Sequence, residues 1–407
     1  MSAQQGLRGQ HALRAQQPLR VMTVFGTRPD TVKMAPVVHA LKAAAPAVET
    51  IVCVSAQHRE MLDDLLELFE IVPDYDLNIM TPDQSLTHIM TRVLVDIEPV
   101  IKAARPHVVL VHGDTTTSTS AALAAFYQHV PVGHVEAGLR TSDRWVPYPE
   151  EMNRRLTAVL TTFQFAPTPL AKEHLLHENV ALEDIVVTGN TVIDAFLETA
   201  QRPNLPLPPQ WEKLDPSRDI IVVTAHRREN HPYMRDLCLA MRDIARLPSR
   251  PQIMWPVHPS PRVRPIAFEI LGNEDGVALT EPIDYGEMVA AVSRCKFVLT
   301  DSGGLQEEAP TLGKPVLVMR QETERPEGLI AGTLELVGVD RERIVGAARR
   351  LLNDRAAYEK MAKASNPYGD GHAAQRIVAW LLARLRAGTF PEEFSATPSM
   401  AGAAPSP

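Results

Sequence analysis

Apolar runs alternate with segments of helical periodicity along both halves of the chain. One such run, RVMTVFGT (20–27), is followed by a segment whose apolar residues Val32, Ala35, Val38 and Leu41 recur at the spacing of one helix face. Further apolar runs in the first half are ETIVCVS, HVVLVHGD and VPVGHVEAG. Because continuous Val/Ile/Leu runs separated by helices are typical of strands buried on both faces, the pattern predicts an α/β fold with a parallel sheet.

The alternation is interrupted between residues 188 and 215, where the segment QRPNLPLPPQWEKLDPSRD is rich in proline and has no periodicity. A second alternating series follows, with the runs DIIVVTAH, PQIMWPVHP, GVALTEP, CKFVLTDSGG and PVLVMR. We therefore predict two Rossmann-like, doubly wound domains, over 20–188 and 189–371, and a last helix over 372–388 that packs back on the first. Two such domains would face a central ligand cleft at the carboxyl ends of their strands.

Composition and charge narrow the class of protein. Of 407 residues 45% are hydrophobic and 22% charged, which is typical of a globular protein, and the net charge of −8 argues against a dedicated nucleic-acid binder. No apolar stretch approaches the ~20 residues of a membrane span. The three cysteines are far apart and lack metal-ligand spacing, which favours buried thiols in a reducing compartment. We predict a cytoplasmic protein with neither a membrane nor a nucleic-acid partner.

Both ends of the chain differ in composition from the part between them. The first nineteen residues contain arginines but no apolar core of a signal peptide, and the last residues are rich in Pro, Ser and Ala. Residues 1–19 are therefore predicted to be a disordered N-terminal extension and residues 389–407 a disordered tail.

Most polar clusters follow directly after the apolar runs, where an open α/β fold presents its binding site. In TDSGGLQEEAP (300–310), Ser302, Gly303 and Gly304 begin a helix, so that free N–H groups and the helix dipole would face an anion such as a phosphate. Glu308, one turn later, could accept hydrogen bonds from both hydroxyls of a ribose. The alternative is an ordinary helix cap in which Glu307 or Glu308 completes a capping box.

Three carboxylates stand at or near strand ends in the first half. Asp114 follows the run HVVLVHGD, Glu136 ends VPVGHVEAG, and Glu150 begins the helix predicted from PYPEEMNRRL. Each has a structural alternative: an Asx turn or helix cap for Asp114, a turn residue for Glu136, and a dipole-stabilised acid of a first helical turn for Glu150. In the second half, the segment TAHRREN places a histidine and two arginines (226–228) after a valine run, either as a diphosphate clamp or as a solvated basic turn.

No motif predicts a cofactor or a metal. The segment YGDGHAA (368–374) matches G-x-G-x-x-A, but it follows no strand and so lacks the context of a dinucleotide site. The first turn, FGTRPD, has a single glycine, and the sequence contains neither a P-loop nor HExxH. We therefore predict that the protein needs no cofactor and binds no metal.

Taken together, the motifs resemble one known family. They are VFGTRPD, SAQHREML, VLVHGDTTTS, GHVEAGLRT, PYPEEMNR, TGNTVIDA, TAHRREN, LTDSGGLQEEAP, GKPVLVMRQETERPE and NPYGDG. In order and spacing they closely resemble the non-hydrolysing bacterial UDP-N-acetylglucosamine 2-epimerases, from about residue 20 to 385. The resemblance implies a glycosyltransferase-B-like fold with a UDP-binding C-terminal domain. It also implies reversible conversion of UDP-GlcNAc to UDP-ManNAc, without metal or nicotinamide, by loss of UDP to 2-acetamidoglucal and its re-addition.

The resemblance further implies roles for individual residues. The family's catalytic carboxylates match Asp114, Glu136 and Glu150, and more than one acid/base group is expected because inversion requires proton transfer on both faces of C2. Binding of the diphosphate would fall to Arg28, Lys33, His226, Ser302, Gly303 and Gly304. Glu308 would bind the ribose, Arg325 would help close the site, and Met288 lies about where relatives place an aromatic ring against uracil.

A second UDP-GlcNAc site activates some relatives. The residues that match it here are Gln57, His58, Gln84, Arg227 and His258. Asp83, however, replaces an arginine that some of those relatives use, which speaks against allosteric activation of this protein.

Three other functions remain as alternatives to the non-hydrolysing epimerase. A hydrolysing epimerase would release free ManNAc, a retaining glycosyltransferase of the same fold would transfer the sugar, and a sensor would bind the nucleotide sugar without reaction. Three carboxylates and no acceptor-binding elaboration favour the epimerase. By resemblance we also expect a homodimer that serves the biosynthesis of a ManNAc-containing polysaccharide.

Overall fold

A seven-stranded parallel sheet forms the first half of the computed structural model, which describes residues 17–56, 59–81, 84–141 and 143–396. Its strands are β1 (Leu19–Phe25), β2 (Val48–Val54), β3 (Tyr75–Asp76), β4 (Val108–His112), β5 (Val132–Val135), β6 (Phe163–Ala166) and β7 (Ile185–Val187). They lie in the order β3-β2-β1-β4-β5-β6-β7. The order reverses direction between β1 and β4, which are neighbours in the sheet although β2 and β3 separate them in the chain.

A six-stranded parallel sheet forms the second half of the described chain. Its strands are β8 (Ile220–Thr224), β9 (Gln252–Pro256), β10 (Val277–Thr280), β11 (Phe297–Thr300), β12 (Val316–Val318) and β13 (Leu334–Leu336). They lie in the order β10-β9-β8-β11-β12-β13, and the reversal falls between β8 and β11. The predicted α/β fold with parallel sheets is therefore confirmed in both halves.

Helices connect the strands. Those up to β8 are α1 (Arg28–Ala43), α2 (Arg59–Leu68), α3 (Leu86–Ala104), α4 (Thr116–Tyr127), α5 (Glu150–Leu160), α6 (Pro169–His177) and α7 (Thr191–Ala200). Those beyond it are α8 (Met234–Ala245), α9 (Arg264–Leu271), α10 (Tyr285–Arg294), α11 (Gly303–Glu308), α12 (Pro326–Ala331), α13 (Arg341–Asn353), α14 (Arg355–Ala362) and α15 (Ala373–Arg386). Short 3₁₀ turns lie at Leu182–Asp184, Pro209–Lys213, Arg228–Tyr233 and Ala309–Leu312.

The chain divides into two compact units. The described residues up to Ala195, together with Gly369–Ser395, form the first, and Phe196–Tyr368 form the second. The division falls within α7, a few residues beyond the boundary at 188 that the proline-rich composition suggests. The proline-rich segment itself belongs to the second unit, where it includes a 3₁₀ turn.

Residues near both ends of the described chain belong to the first unit. Leu19 begins β1 and is buried, and Phe394 is buried with its N–H donating to the carbonyl of Val187 at 2.8 Å. The structure therefore differs at these two residues from the predicted disordered extension and tail. Residues 1–16 and 397–407 lie outside the described residues.

Contacts of a large aromatic side chain and a hydrogen bond at its first turn help to attach helix α15 to the first unit. Trp380 is buried, with its ring edge-to-face against Phe163 and Phe165 of β6 at centroid distances of 5.2 and 5.5 Å. At the start of α15, the N–H of Ala374 donates to Oδ1 of Asp194 on α7 at 2.8 Å. Burial raises the pKa of Asp194 to about 6.

The cores of both units contain buried, unpaired thiols. Cys53 lies on β2, Cys238 on α8 and Cys295 at the end of α10, and none forms a disulfide. Burial raises the pKa of each thiol to about 12. The prediction of buried thiols is confirmed, and at such a pKa they behave as small apolar residues of the core.

Candidate functional site

Asp114 follows β4 at the reversal of the first sheet, but it does not cap the next helix. The N-cap of α4 is Thr115, whose Oγ1 accepts the N–H of Ser118 at 3.1 Å. The helix-cap alternative for Asp114 is therefore wrong. Its carboxylate instead accepts a hydrogen bond from Nη2 of Arg154 at 2.6 Å, and its backbone carbonyl accepts from Nδ2 of Asn153 at 2.9 Å. Both donors belong to α5, so α5 is attached to the loop that carries Asp114.

Glu136 follows β5, the strand next to β4, and it is buried in an uncommon backbone conformation. Its φ is +64°, a left-handed value that costs a residue with a Cβ on the order of 1–2 kcal/mol. Its Oε1 accepts from Nδ2 of Asn190 at 3.0 Å and is paired with the ammonium of Lys33, while Nε2 of His112 lies 3.6 Å from Oε2. Strained, buried and ion-paired residues of this kind concentrate at functional sites.

Two buried histidines, His112 and His134, lie at the ends of β4 and β5 close to Glu136. Burial lowers the pKa of His112 to about 3 and that of His134 to about 4, so both imidazoles are neutral near pH 7. Nε2 of His134 lies 2.7 Å from the carbonyl oxygen of Gly113 and, as a donor, joins the ends of β4 and β5. The positive charge next to Glu136 is therefore that of Lys33 rather than of a histidine.

The two adjacent acids at the start of α5 have different surroundings. Glu151 is fully buried and accepts hydrogen bonds from Nη1 of Arg154 at 3.2 Å, Nε of Arg155 at 2.8 Å and the N–H of Thr141 at 3.1 Å. Glu150 is the first residue of the helix, and its Oε2 is buried without a hydrogen-bond partner in the described part of the chain. Glu151 thus holds the local structure together, whereas Glu150 has an acceptor available for another group.

Two further predicted residues lie in the described part of the first unit. Arg28 is the exposed first residue of α1, and Gln84 is half-buried, with its Oε1 accepting the N–H of Thr81 at 3.4 Å. Gln57 and His58 lie outside the described residues.

In the second unit, the loop after β11 leads into α11 without a side-chain cap. Ser302 is the N-cap residue, but its side chain accepts no hydrogen bond from the helix, so the capping-box alternative is wrong. A Cβ placed on Gly303 would lie 3.5 Å from Nη2 of Arg227 and 3.7 Å from Nη2 of Arg325. Two guanidinium groups therefore approach the backbone at the start of α11. A Cβ placed on the next residue, Gly304, would lie 3.5 Å from the carboxylate of the buried Glu308.

Arg325 is held in place by neighbours of α11. Its Nε is paired with the buried carboxylate of Glu307, and its N–H donates to Oγ1 of Thr323 at 3.1 Å. Thr323 in turn donates to Oε1 of Gln306 at 2.6 Å. Its Nη1 donates to the carbonyl of Glu324 at 3.2 Å, so the guanidinium is anchored on two sides at the start of α12.

His226 follows β8, the neighbour of β11, and is in contact with two other titratable side chains. Its Nδ1 lies 3.2 Å from Oδ1 of Asp301, and its ring stacks on that of the exposed His258 at a centroid distance of 5.9 Å. Met288 is half-buried on α10. His226 and Ser302 thus follow β8 and β11 at the reversal of that sheet, where open α/β sheets bind ligands, whereas His258 follows β9 and Arg325 follows β12.

Comparison with known proteins identifies the family. A family model of the UDP-N-acetylglucosamine 2-epimerases matches residues 39–382. The chain belongs to this family. The UDP-N-acetylglucosamine 2-epimerase of Escherichia coli K12 is 52% identical over 367 residues, which cover 88% of this chain and 97% of that protein.

Solved structures of relatives hold uridine nucleotides. The UDP-GlcNAc 2-epimerase of Neisseria meningitidis bound to UDP-GlcNAc is 46% identical, with a TM-score of 0.80 over 89% of this chain and 99% of that chain. The MnaA–UDP complex of S. aureus is 44% identical, with a TM-score of 0.80 over 92% of this chain and all of that chain. The glycosyltransferase SnogD from Streptomyces nogalater, 15% identical with a TM-score of 0.57, shares the fold alone.

Residues 17–56, 59–81, 84–141 and 143–396 contain neither a candidate metal site nor a candidate membrane span. No group of three or more His, Cys, Asp or Glu side chains there is arranged to hold a metal ion. No helix there combines the length and apolar character that crossing a membrane requires.

Arg154, Asn190 and Asp301 each contact a candidate site residue, although no role for them follows from the sequence. The position of Arg154 could have indicated a role, because it lies four residues after Glu150 and therefore on the same face of α5. Asn190 lies in TGNTVIDA directly after β7, and Asp301 directly follows β11. Position after a strand end was the only signal for these two, because their partners come from distant parts of the chain.

Proposed function

We propose that the protein interconverts UDP-GlcNAc and UDP-ManNAc by the non-hydrolysing route. Its family membership supports the substrate class, since relatives at 44 and 46% identity were solved with UDP and UDP-GlcNAc. The observation that carries the proposal is the pairing of two carboxylates at neighbouring strand ends with two different cations, Asp114 with Arg154 and Glu136 with Lys33. Inversion at a carbon that bears an acidic proton needs two such groups.

The proposed reaction proceeds by elimination and re-addition. The C1–O bond breaks with its electron pair passing to UDP, the C2 proton passes to a carboxylate, and the C1=C2 double bond of 2-acetamidoglucal forms. UDP then adds back at C1 while a second acid protonates the opposite face of C2. Asp114 and Glu136 are the proposed proton carriers. Glu150 is the third candidate, because one of its oxygens is buried without a hydrogen-bond partner in the described chain.

Retention of UDP distinguishes this route from hydrolysis, and the second unit offers the groups that would bind it. The uncapped backbone of Ser302–Gly304 and the guanidinium groups of Arg227 and Arg325 bring N–H donors and positive charge together. We propose that they hold the diphosphate with His226, while Glu308 binds the ribose and Met288 packs against uracil.

Lys33 has a partner in the structure that bears on its proposed role. Its ammonium is paired with Glu136, so binding of the diphosphate, the role that the resemblance implies for Lys33, would require exchange of that partner. Arg28, exposed at the first residue of α1, is available for the diphosphate without such an exchange. By family resemblance alone, we further propose a cytoplasmic homodimer that supplies ManNAc for a polysaccharide.

Product analysis tests the proposed route. The purified protein is incubated with UDP-GlcNAc, and nucleotides and free sugars are separated by anion-exchange chromatography. We expect UDP-ManNAc to accumulate to a constant ratio with UDP-GlcNAc while free UDP stays at a trace level. Stoichiometric UDP and free ManNAc would instead identify a hydrolysing enzyme, and unchanged UDP-GlcNAc would contradict the proposed activity.

A further inference from the structure

Asp301 is a fully buried carboxylate directly after β11, and all of its identified hydrogen-bond donors come from the loop after β8. Its Oδ2 accepts the backbone N–H groups of His226 and Arg227 at 2.9 Å each, and Nδ2 of Asn230 at 3.0 Å. A carboxylate with this many donors is ionised: although burial by itself would raise its pKa, His226 and the N–H donors lower the pKa below its ordinary value. Asp301 thus supplies a fixed negative charge at the reversal of the second sheet.

The other oxygen of Asp301 faces the ring of His226. Oδ1 lies 3.2 Å from Nδ1 of His226, an ion-pair distance, and accepts no hydrogen bond within the described chain. Because an ionised carboxylate can only accept a hydrogen bond, this contact is favourable only when Nδ1 carries a proton. In neutral His226 the lone pair is then on Nε2, and protonation of the ring makes Nε2 a donor.

Other charged and titratable side chains also lie around His226. His258 stacks on the ring at an interplanar angle of 21°, Arg227 is the next residue, and His231 belongs to the same loop. Partial desolvation, followed by the charges of His226 and His231, lowers the pKa of His258. Among these groups, Asp301 is the one that carries a negative charge next to the ring.

We propose that Asp301 is a positioning residue that holds His226 as the Nδ1–H tautomer and stabilises its imidazolium, so that Nε2–H is presented to the bound diphosphate. The identity of the anion as a diphosphate rests on the proposed function. The tautomer of His226 does not depend on that function. A diphosphate that leaves with an additional negative charge is stabilised by a cationic donor that is already oriented.

The tautomer is tested on the full-length wild-type protein without substrate. Two-dimensional ¹⁵N–¹H NMR of the imidazole rings distinguishes a protonated nitrogen from one with a lone pair, and the His226→Asn variant identifies which signals belong to His226. We expect Nδ1 to be protonated and Nε2 to have the lone pair at a pH where the ring is neutral. Observation of the Nε2–H tautomer would overturn the proposal, whether or not the protein proves to be an epimerase.

The role is tested by the Asp301→Asn variant, whose amide can donate to Nδ1 and favour the opposite tautomer. We expect kcat to fall about tenfold or more and UDP affinity to fall with it. In a His226→Asn background, the same Asp301 substitution should change kcat and UDP affinity little further. Equal losses in both backgrounds would show that Asp301 acts only through folding and would overturn the proposal.

The exposed helix cap Asp340 provides a matched control. Its carboxylate accepts the N–H of Arg343 at 2.9 Å, at the start of α13. Asp340→Asn should leave kcat and UDP affinity unchanged, whereas losses equal to those of Asp301→Asn would contradict a specific role for Asp301.

If Asp301→Asn does not fold, the tautomer of His226 in the wild-type protein still tests the proposal. If no epimerisation occurs at all, UDP binding by calorimetry and the tautomer test the inference independently.

Discussion

Nη2 of Arg154 donates to Oδ2 of Asp114 at 2.6 Å and so connects helix α5 to the end of β4. The same guanidinium donates through Nη1 to the fully buried Glu151 at 3.2 Å, which fixes the position of the arginine. A bridging arginine of this kind sets both the position and the charge environment of the carboxylate that it contacts.

We predict that Arg154→Gln lowers kcat about tenfold or more, because Asp114 loses the group that orients it. The neighbouring Arg155 is the matched control, since its Nε also donates to Glu151 at 2.8 Å and its contacts do not include Asp114. Steady-state kinetics of Arg154→Gln and Arg155→Gln make the comparison. Equal losses of kcat in the two variants would contradict a role through Asp114.

We predict that Glu136→Gln lowers turnover by about 10²-fold or more while UDP binding is largely retained, as expected when an acid/base group is lost. Glutamine keeps the shape of the side chain and can still accept from Asn190, so the fold should persist. Glu178→Gln, which removes a carboxylate paired with Arg140 at 2.7 Å, should turn over at nearly the wild-type rate. Near-wild-type turnover of Glu136→Gln would show that the carboxylate transfers no proton.

The backbone of Glu136 gives a prediction about stability. Since glycine adopts a φ of +64° without a Cβ clash, Glu136→Gly should be more stable than Glu136→Ala by about 1 kcal/mol in urea unfolding. Both variants lack the carboxylate, so the difference reports the backbone alone. At Glu173, an exposed position within α6, the order should reverse by a similar amount. An alanine variant at 136 as stable as the glycine variant would contradict the left-handed conformation.

The sequence predicted that Asp114 and Glu136 follow neighbouring strands, but it did not predict the cations that pair with them or the backbone conformation of Glu136. Continuous apolar runs identified β4 and β5, and parallel neighbouring strands end at one edge of a sheet, so the two acids are necessarily close. Their cations could not be predicted in the same way, because Lys33 and Arg154 come from helices α1 and α5 and their side-chain directions depend on packing. The left-handed φ of Glu136 leaves no pattern in its neighbours, since glutamate is not a residue that favours it.

The sequence also could not predict that Glu150 and Glu151 differ in their hydrogen-bonding surroundings. Acids are favoured at both positions of a first helical turn, so composition treats them alike. Only the packing of α5 shows that Glu151 is enclosed by Arg154, Arg155 and Thr141 while an oxygen of Glu150 has no hydrogen-bond partner in the described chain.

Burial of Asp194 predicts a pH dependence of stability. Its pKa in the folded protein is about 6, above the ordinary value of 3.8, so between those values the folded state binds more protons than the unfolded state. The stability contributed by protonated Asp194 is therefore fully present below about pH 4 and is lost as the pH rises through 6. Replacement by asparagine removes this loss but retains an acceptor for the N–H of Ala374.

We expect the free energy of unfolding of Asp194→Asn, relative to wild type, to rise by roughly 2–3 kcal/mol between pH 4 and pH 7. Urea unfolding of both proteins across this range measures the difference, and other titrating groups cancel because they are common to both. A constant difference between Asp194→Asn and wild type would contradict a protonated, buried Asp194.

The most direct test of the central claim is proton exchange at C2 of the sugar. The protein is incubated with UDP-GlcNAc in D₂O and the mixture is followed by proton NMR. The proposed mechanism predicts that UDP-ManNAc appears with deuterium at C2 and that the recovered UDP-GlcNAc also gains deuterium there. UDP-GlcNAc that still carries its C2 proton after long incubation, with no UDP-ManNAc formed, would contradict it.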